Sequence, residues 1–148
     1  MIDRTHIGRT WPPFEVLVEN GRLRLFAKAI GETRPVYTDE AAARAAGHRS
    51  LLAPPTFAFC VLADDPHGMK YMDELGIPLG RMLHAEQRIS YYGDICAGDR
   101  LRVTRRLADI YDKRGGALEF IAFEVDVARE SGALVARNHV LLVVRNSQ

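Results

Sequence analysis

Pro54-Pro55-Thr56-Phe57-Ala58-Phe59-Cys60-Val61-Leu62-Ala63 is the stretch on which the fold turns. Two prolines followed by threonine suit a helix start, because proline's φ is already helical and the N–H it lacks has no partner in a first turn. The residues from Phe57 to Ala63 are apolar on every side of a helix. A helix of that kind is buried inside a protein rather than laid on its surface. Asp64-Asp65-Pro66 ends it. One helix swallowed whole needs a sheet broad and curved enough to cover it.

The chain downstream supplies that sheet. Four strand-like stretches follow, at 82–92, 100–111, 117–128 and 133–144. Turn signals separate them: Ala97-Gly98-Asp99, Asp112-Lys113-Arg114-Gly115-Gly116 and Glu130-Ser131-Gly132. Ile121, Phe123, Val125 and Val127 alternate with polar positions, as a half-buried strand requires. Long consecutive strands joined by tight turns pair antiparallel. The expected class is α+β, with a curved antiparallel sheet wrapped around a buried central helix. That arrangement is a single hot-dog fold, here one domain spanning 1–148.

Upstream lie the helix signals and all seven prolines. A short strand is expected at 14–18. Leu23, Phe26, Ala27 and Ile30 fall at i, i+3, i+4 and i+7, one apolar face of a helix that opens at Asn20-Gly21 and stops at Gly31. A second helix is expected at 39–46, capped by Thr38, with Asp39 and Glu40 suited to its positive end.

Composition narrows the function classes. The 148 residues are 47% hydrophobic and 26% charged, enough to build a core without disulfides or a structural metal. Net charge is +1, with acids and bases interspersed, so neither a nucleic-acid nor a membrane partner is expected. The densest basic run, Arg100 to Arg106, alternates with Leu101 and Val103 and reads as a solvated strand face. Cys60 and Cys96 form no pair or metal cluster and read as reduced thiols. Residues 1–10 are polar, no stretch reaches the ~18 apolar residues of a membrane span, and a cytoplasmic location is expected. No metal spacing, nucleophile elbow or phosphate loop is present.

Gly31-Glu32-Thr33-Arg34-Pro35-Val36-Tyr37-Thr38-Asp39, then Ala41-Ala42 and Ala53-Pro54-Pro55-Thr56-Phe57, resemble the MaoC-like dehydratase/hydratase family. Leu83-His84-Ala85-Glu86-Gln87 and Ala97-Gly98-Asp99 add to the likeness. It is nearest to the family's dehydratase N-terminal-type domains and non-catalytic hydroxyacyl-thioester dehydratase subunits. The resemblance implies acyl groups on coenzyme A or acyl carrier protein as substrates, with no further cofactor. It implies reversible loss of water from a 3-hydroxyacyl thioester to a 2-enoyl thioester. Active members carry Gly-Asp-x-Asn-Pro-x-His, whose aspartate and histidine handle the water and the α proton. The reaction needs such a pair because the α C–H is a very weak acid.

Here Gly31 and Pro35 match that pattern, but Glu32 stands for the aspartate, Arg34 for the asparagine and Tyr37 for the histidine. Glu32 keeps a carboxylate, whereas a phenol with pKa near 10 is a poor base at neutrality. His84 and Glu86 share a strand face by the two-residue alternation, which makes His84 a third catalytic candidate. The blander readings are a solvated residue past a helix end for Glu32, packing for Tyr37, and a structural pair for His84–Glu86. Gly31, Pro35, Pro55, Thr56 and Phe57 are the substrate-binding candidates, with N–H groups at the helix start facing the thioester oxygen.

Three function classes remain open. One is a subunit supporting a catalytic partner, in a homodimer or a heterodimer with a second hot-dog subunit. Another is a homo-oligomeric enoyl-CoA hydratase with a modified glutamate site. The third is a hot-dog thioesterase or acyl-thioester-binding protein, since one fold hosts all of them.

Overall fold

The computed structural model describes residues 1–146. Its five strands are β1 (Phe14–Leu17), β2 (Met82–Tyr91), β3 (Arg100–Lys113), β4 (Leu118–Arg129) and β5 (Leu134–Arg145). They form one sheet in the order β1-β3-β4-β5-β2, every neighbour antiparallel. Tight turns join β3 to β4 and β4 to β5, the first through Arg114, Gly115 and Gly116, all at positive φ. Register shifts at Leu107/Asp109, Val127/Ala128 and His84/Glu86 interrupt the ladders. Bulges of this kind bend and twist strands, and here they help to curl the sheet around its core.

The helices are α1 (Asn20–Ala29), α2 (Pro35–Thr38), α3 (Glu40–Ala45), α4 (Phe57–Cys60) and α5 (Lys70–Glu74). Phe57, Ala58 and Val61 sit in the concave face of the sheet among Leu101, Val103, Ile121, Val125 and Val135. Asn138 on β5 fastens α4 from the sheet side: its Nδ2 donates to Ala58 O at 3.0 Å, and its Oδ1 accepts from Gln87 Nε2 at 2.9 Å. Among the described residues no helix is long and apolar enough to cross a membrane.

Four local expectations are corrected. The central helix is shorter than its apolar run, because the chain tightens into a 3-10 turn at Val61–Asp64 ahead of Pro66. It is also buried on one side only. Phe59 is 37% exposed, and Phe59, Cys60, Leu62 and Ala63 line a hollow, Cys60 and Leu62 while packing only partly against the core. Asp39, not Thr38, caps the second helix: Asp39 Oδ1 accepts the Ala42 N–H at 2.8 Å, whereas Thr38 belongs to α2 and its hydroxyl turns back to Arg34 O. Finally, Ile30 follows α1 and is 49% exposed, so Leu23 and Ala27 carry the buried face, with Phe26 packed partly against the core.

Candidate active site

The loop that carries the resemblance leaves α1 by a reversal at Gly31, whose φ of +71° favours glycine. The Glu32 N–H donates to Ala27 O at 2.8 Å, which turns the Glu32 side chain back over the loop. Arg34 holds its carboxylate at three donors. Oε1 accepts from the Arg34 N–H at 2.9 Å and from Nε at 3.0 Å, and Oε2 accepts from Nη2 at 2.5 Å. These bonds, first the guanidinium and then the backbone N–H, pull the Glu32 pKa down to about 2. A carboxylate of that kind is a weak base. The Arg34 guanidinium also lies 4.8 Å from the centroid of the Tyr37 ring.

The sequence candidates fall in three separate hollows. Tyr37 and Pro55 line a cleft of ≈ 300 Å³ with Tyr91, whose hydroxyl donates to Pro55 O at 2.9 Å. Gly31 and Glu32 line a shallower groove with Arg24 and Lys28. His84 lines a third cavity of ≈ 620 Å³ between the central helix and the sheet. Pro35 begins α2. Phe57 is wholly buried against Phe26, and its N–H already donates to Pro54 O at 2.9 Å. It is therefore a core residue with no donor to offer a thioester. Thr56, beside it, is exposed, and its N–H has no acceptor among the described residues.

The expected His84–Glu86 pair does not form. His84 lies opposite Leu142 and Glu86 opposite Leu141, because the ladder shifts register between them. Adjacent partner residues face opposite sides of a sheet, so the bulge at Ala85 sends the two side chains to opposite faces. His84 Nε2 instead lies 3.1 Å from the Glu86 backbone carbonyl, and its ring meets Phe59 edge-on. The Glu86 carboxylate pairs with Arg88 at 2.6 Å.

The large cavity also holds polar residues that the motifs do not mark. Arg105 reaches Asp65 at 2.7 Å and packs over Tyr71, with 3.8 Å from its guanidinium carbon to the ring centroid. Arg22 pairs with the adjacent Asp64. Burial raises the pKa of both the Tyr71 phenol and the Cys60 thiol, so neither is poised as a nucleophile at neutrality. The basic run on β3 is thus not uniformly solvated: Arg100, Arg102 and Arg106 face outward, while Arg105 is buried. The signal was its spacing, since Leu101, Val103, Arg105 and Leu107 share one face. Among the described residues no three His, Cys, Asp or Glu side chains gather as metal ligands.

Comparison with known proteins agrees with this architecture. The HadBC complex of Mycobacterium tuberculosis, described as a 3R-hydroxyacyl-ACP dehydratase, has a chain that superposes with a TM-score of 0.81 at 24% identity, over 93% of this chain and 96% of that one. The MaoC-like dehydratase of Rhodospirillum rubrum gives 0.70 at 21% identity, over 96% of this chain and 94% of that one. A UPF0336 protein of Streptomyces griseus is 35% identical across 99% of this chain and 97% of its own length. Residues 5–138 match the family model described as the FAS1-like dehydratase domain region. The chain therefore belongs to the FAS1-like dehydratase domain family, and it shares the hot-dog fold of these solved structures.

Proposed function

We propose that this chain is the substrate-supporting half of an acyl-thioester dehydratase/hydratase, interconverting 3-hydroxyacyl and 2-enoyl thioesters together with a second hot-dog subunit that supplies the acid/base pair. The observation that carries this reading is the state of the 32–37 loop. Its carboxylate is clamped by Arg34 and made a weak base, and the residue at the histidine position is a buried tyrosine. Proton transfer in this reaction calls for groups whose pKa lies near the working pH. Separate from this loop, the ≈ 620 Å³ cavity between the central helix and the sheet is lined largely by Leu, Met, Phe and Val side chains and suits an acyl chain.

The sheet order supports a place for the partner. β2 lies at one end of the sheet and presents an unpaired edge. Leu83, Tyr91 and Tyr92 are half exposed along and just beyond it, with Phe59 nearby. A second hot-dog sheet docking on this edge would cover those side chains and close the cavity mouth. That the HadBC neighbour is itself a complex supports the same expectation. The reaction only moves a proton and a hydroxyl, so the thioester substrate suffices without a cofactor.

Hydration of crotonyl-CoA by the purified chain, alone and mixed with a hot-dog chain bearing the intact Asp/His pattern, tests the proposal. The isolated chain should be slower than the complex by about 10²–10⁴-fold, the usual contribution of a positioned acid/base group. Glu32→Gln should leave the complex within a few-fold of wild type. Robust hydration by the unaided chain, abolished by Glu32→Gln, would overturn the proposal in favour of a homo-oligomeric hydratase.

A further inference from the structure

Asp65, Tyr71 and Arg105 line two hollows at once, the ≈ 620 Å³ cavity and a polar notch of ≈ 150 Å³ with Trp11, His67 and Glu74 on its far side. The large cavity runs across the sheet, past His84 on β2, Leu142 on β5 and Phe123 on β4, to Arg105 on β3. At ordinary strand spacing that is about 14 Å. The β2 end is flanked by exposed Phe59 and His84. The β3 end stops at the Asp65–Tyr71–Arg105 partition.

This partition is polar, and its donors are not used up. The Arg105 side chain is 6% exposed. Among the described residues its guanidinium makes one hydrogen bond, Nη1 to Asp65 Oδ2 at 2.7 Å. A guanidinium carries five N–H donors. None of the remaining nitrogens of Arg105 is among the polar atoms sealed away without a partner, and the residue lines both hollows. The other Asp65 oxygen accepts the His67 N–H at 2.9 Å. Holding a buried ion pair against an apolar cavity is costly in desolvation, and a plain alkyl terminus returns nothing to offset it.

We propose that Arg105, Asp65 and Tyr71 are the polar end wall of the acyl cavity, and that the acyl chain it takes carries a neutral oxygen, hydroxyl or carbonyl, at the end remote from the thioester. The inference rests on the reading that the cavity holds the acyl chain. A neutral oxygen fits because Asp65 already balances the Arg105 charge, and a terminal carboxylate would set a second negative charge beside it.

Isothermal titration of the full chain with decanoyl-CoA and with ω-hydroxydecanoyl-CoA is the test. The hydroxylated ligand should bind about tenfold more tightly, the value of one hydrogen bond to a charged donor. In Arg105→Met, which keeps the length of the side chain and removes its donors, the two affinities should converge to within about twofold. The wild-type comparison needs no variant, so a misfolded Arg105→Met leaves the proposal exposed to refutation. Equal or tighter binding of decanoyl-CoA by wild type would overturn the end wall while leaving the acyl cavity standing. Binding of neither ligand would overturn both.

Discussion

Replacing Asn138 with leucine should loosen the central helix from the sheet. Asn138 is fully buried and bridges three elements, accepting from Gln87 on β2 and donating to the Ala58 carbonyl of α4. Leucine matches its size but can make neither bond. The Ala58 carbonyl and the Gln87 amide are then left unpartnered, at about 1–3 kcal/mol for each buried group. Added apolar burial offsets part of this, which leaves a loss of about 3 kcal/mol. For a domain of this size that corresponds to a fall in Tm of about 6–12 °C. Gln87 adds a second-order check. Its Oε1 is already buried without a partner, so Gln87→Leu removes an orphan as well as a bond. The double variant Asn138→Leu/Gln87→Leu should therefore be more stable than the sum of the single changes implies. Thermal and guanidinium unfolding followed by circular dichroism would measure both effects. A loss under about 0.5 kcal/mol for Asn138→Leu, or strict additivity in the double variant, would refute the bridging role.

Two further outcomes test the core and the clamp. Val61→Asp should give insoluble or unfolded protein, since Val61 is fully buried and an unpaired carboxylate there costs several kcal/mol; cooperative unfolding near the wild-type midpoint would show that the site is not core. Glu32 should titrate near 2 by carbon-detected NMR, and Arg34→Met should return it toward the usual 4.5. Because folding favours the charged form, the stabilising effect of the clamp is complete above about 4.5 and fades as the pH falls toward 2; a wild-type midpoint near 4.5 would exclude the clamp.

The fold was legible because its determinants are periodic and local. Ile121, Phe123, Val125 and Val127 are all buried, and the four long strands lie within a few residues of the stretches that alternation marks. The short elements were less legible. Thr38 and Asp39 are both good capping residues, and only the turn begun by Pro35 decides between them by taking Thr38 into α2. The apolar run at 57–63 does identify the central helix. What it does not distinguish is an apolar side that packs fully from one that lines a hollow, because the two have the same composition.

The candidate site divides along the same physical line. Alternation assigns His84 and Glu86 to one face only while the ladder stays in step, and the single extra residue at Ala85 reverses the assignment for everything beyond it. Nothing in Leu83-His84-Ala85-Glu86-Gln87 marks a bulge, since bulges depend on the pairing partner as much as on the strand itself. Arg105 is the opposite case. The repeat that buries Leu101 and Val103 also puts Arg105 inside, but a run rich in arginine suggests a solvated face by composition. Periodicity reports the geometry of the strand, whereas composition reports an average over both faces. An inward-facing charge therefore requires something to meet it, and here Asp65 and Tyr71 do so across the end of the cavity. Arg34 and Arg105 thus have opposite consequences: the first quenches the carboxylate at the motif's acid position, while the second places unspent donors where a ligand can reach them.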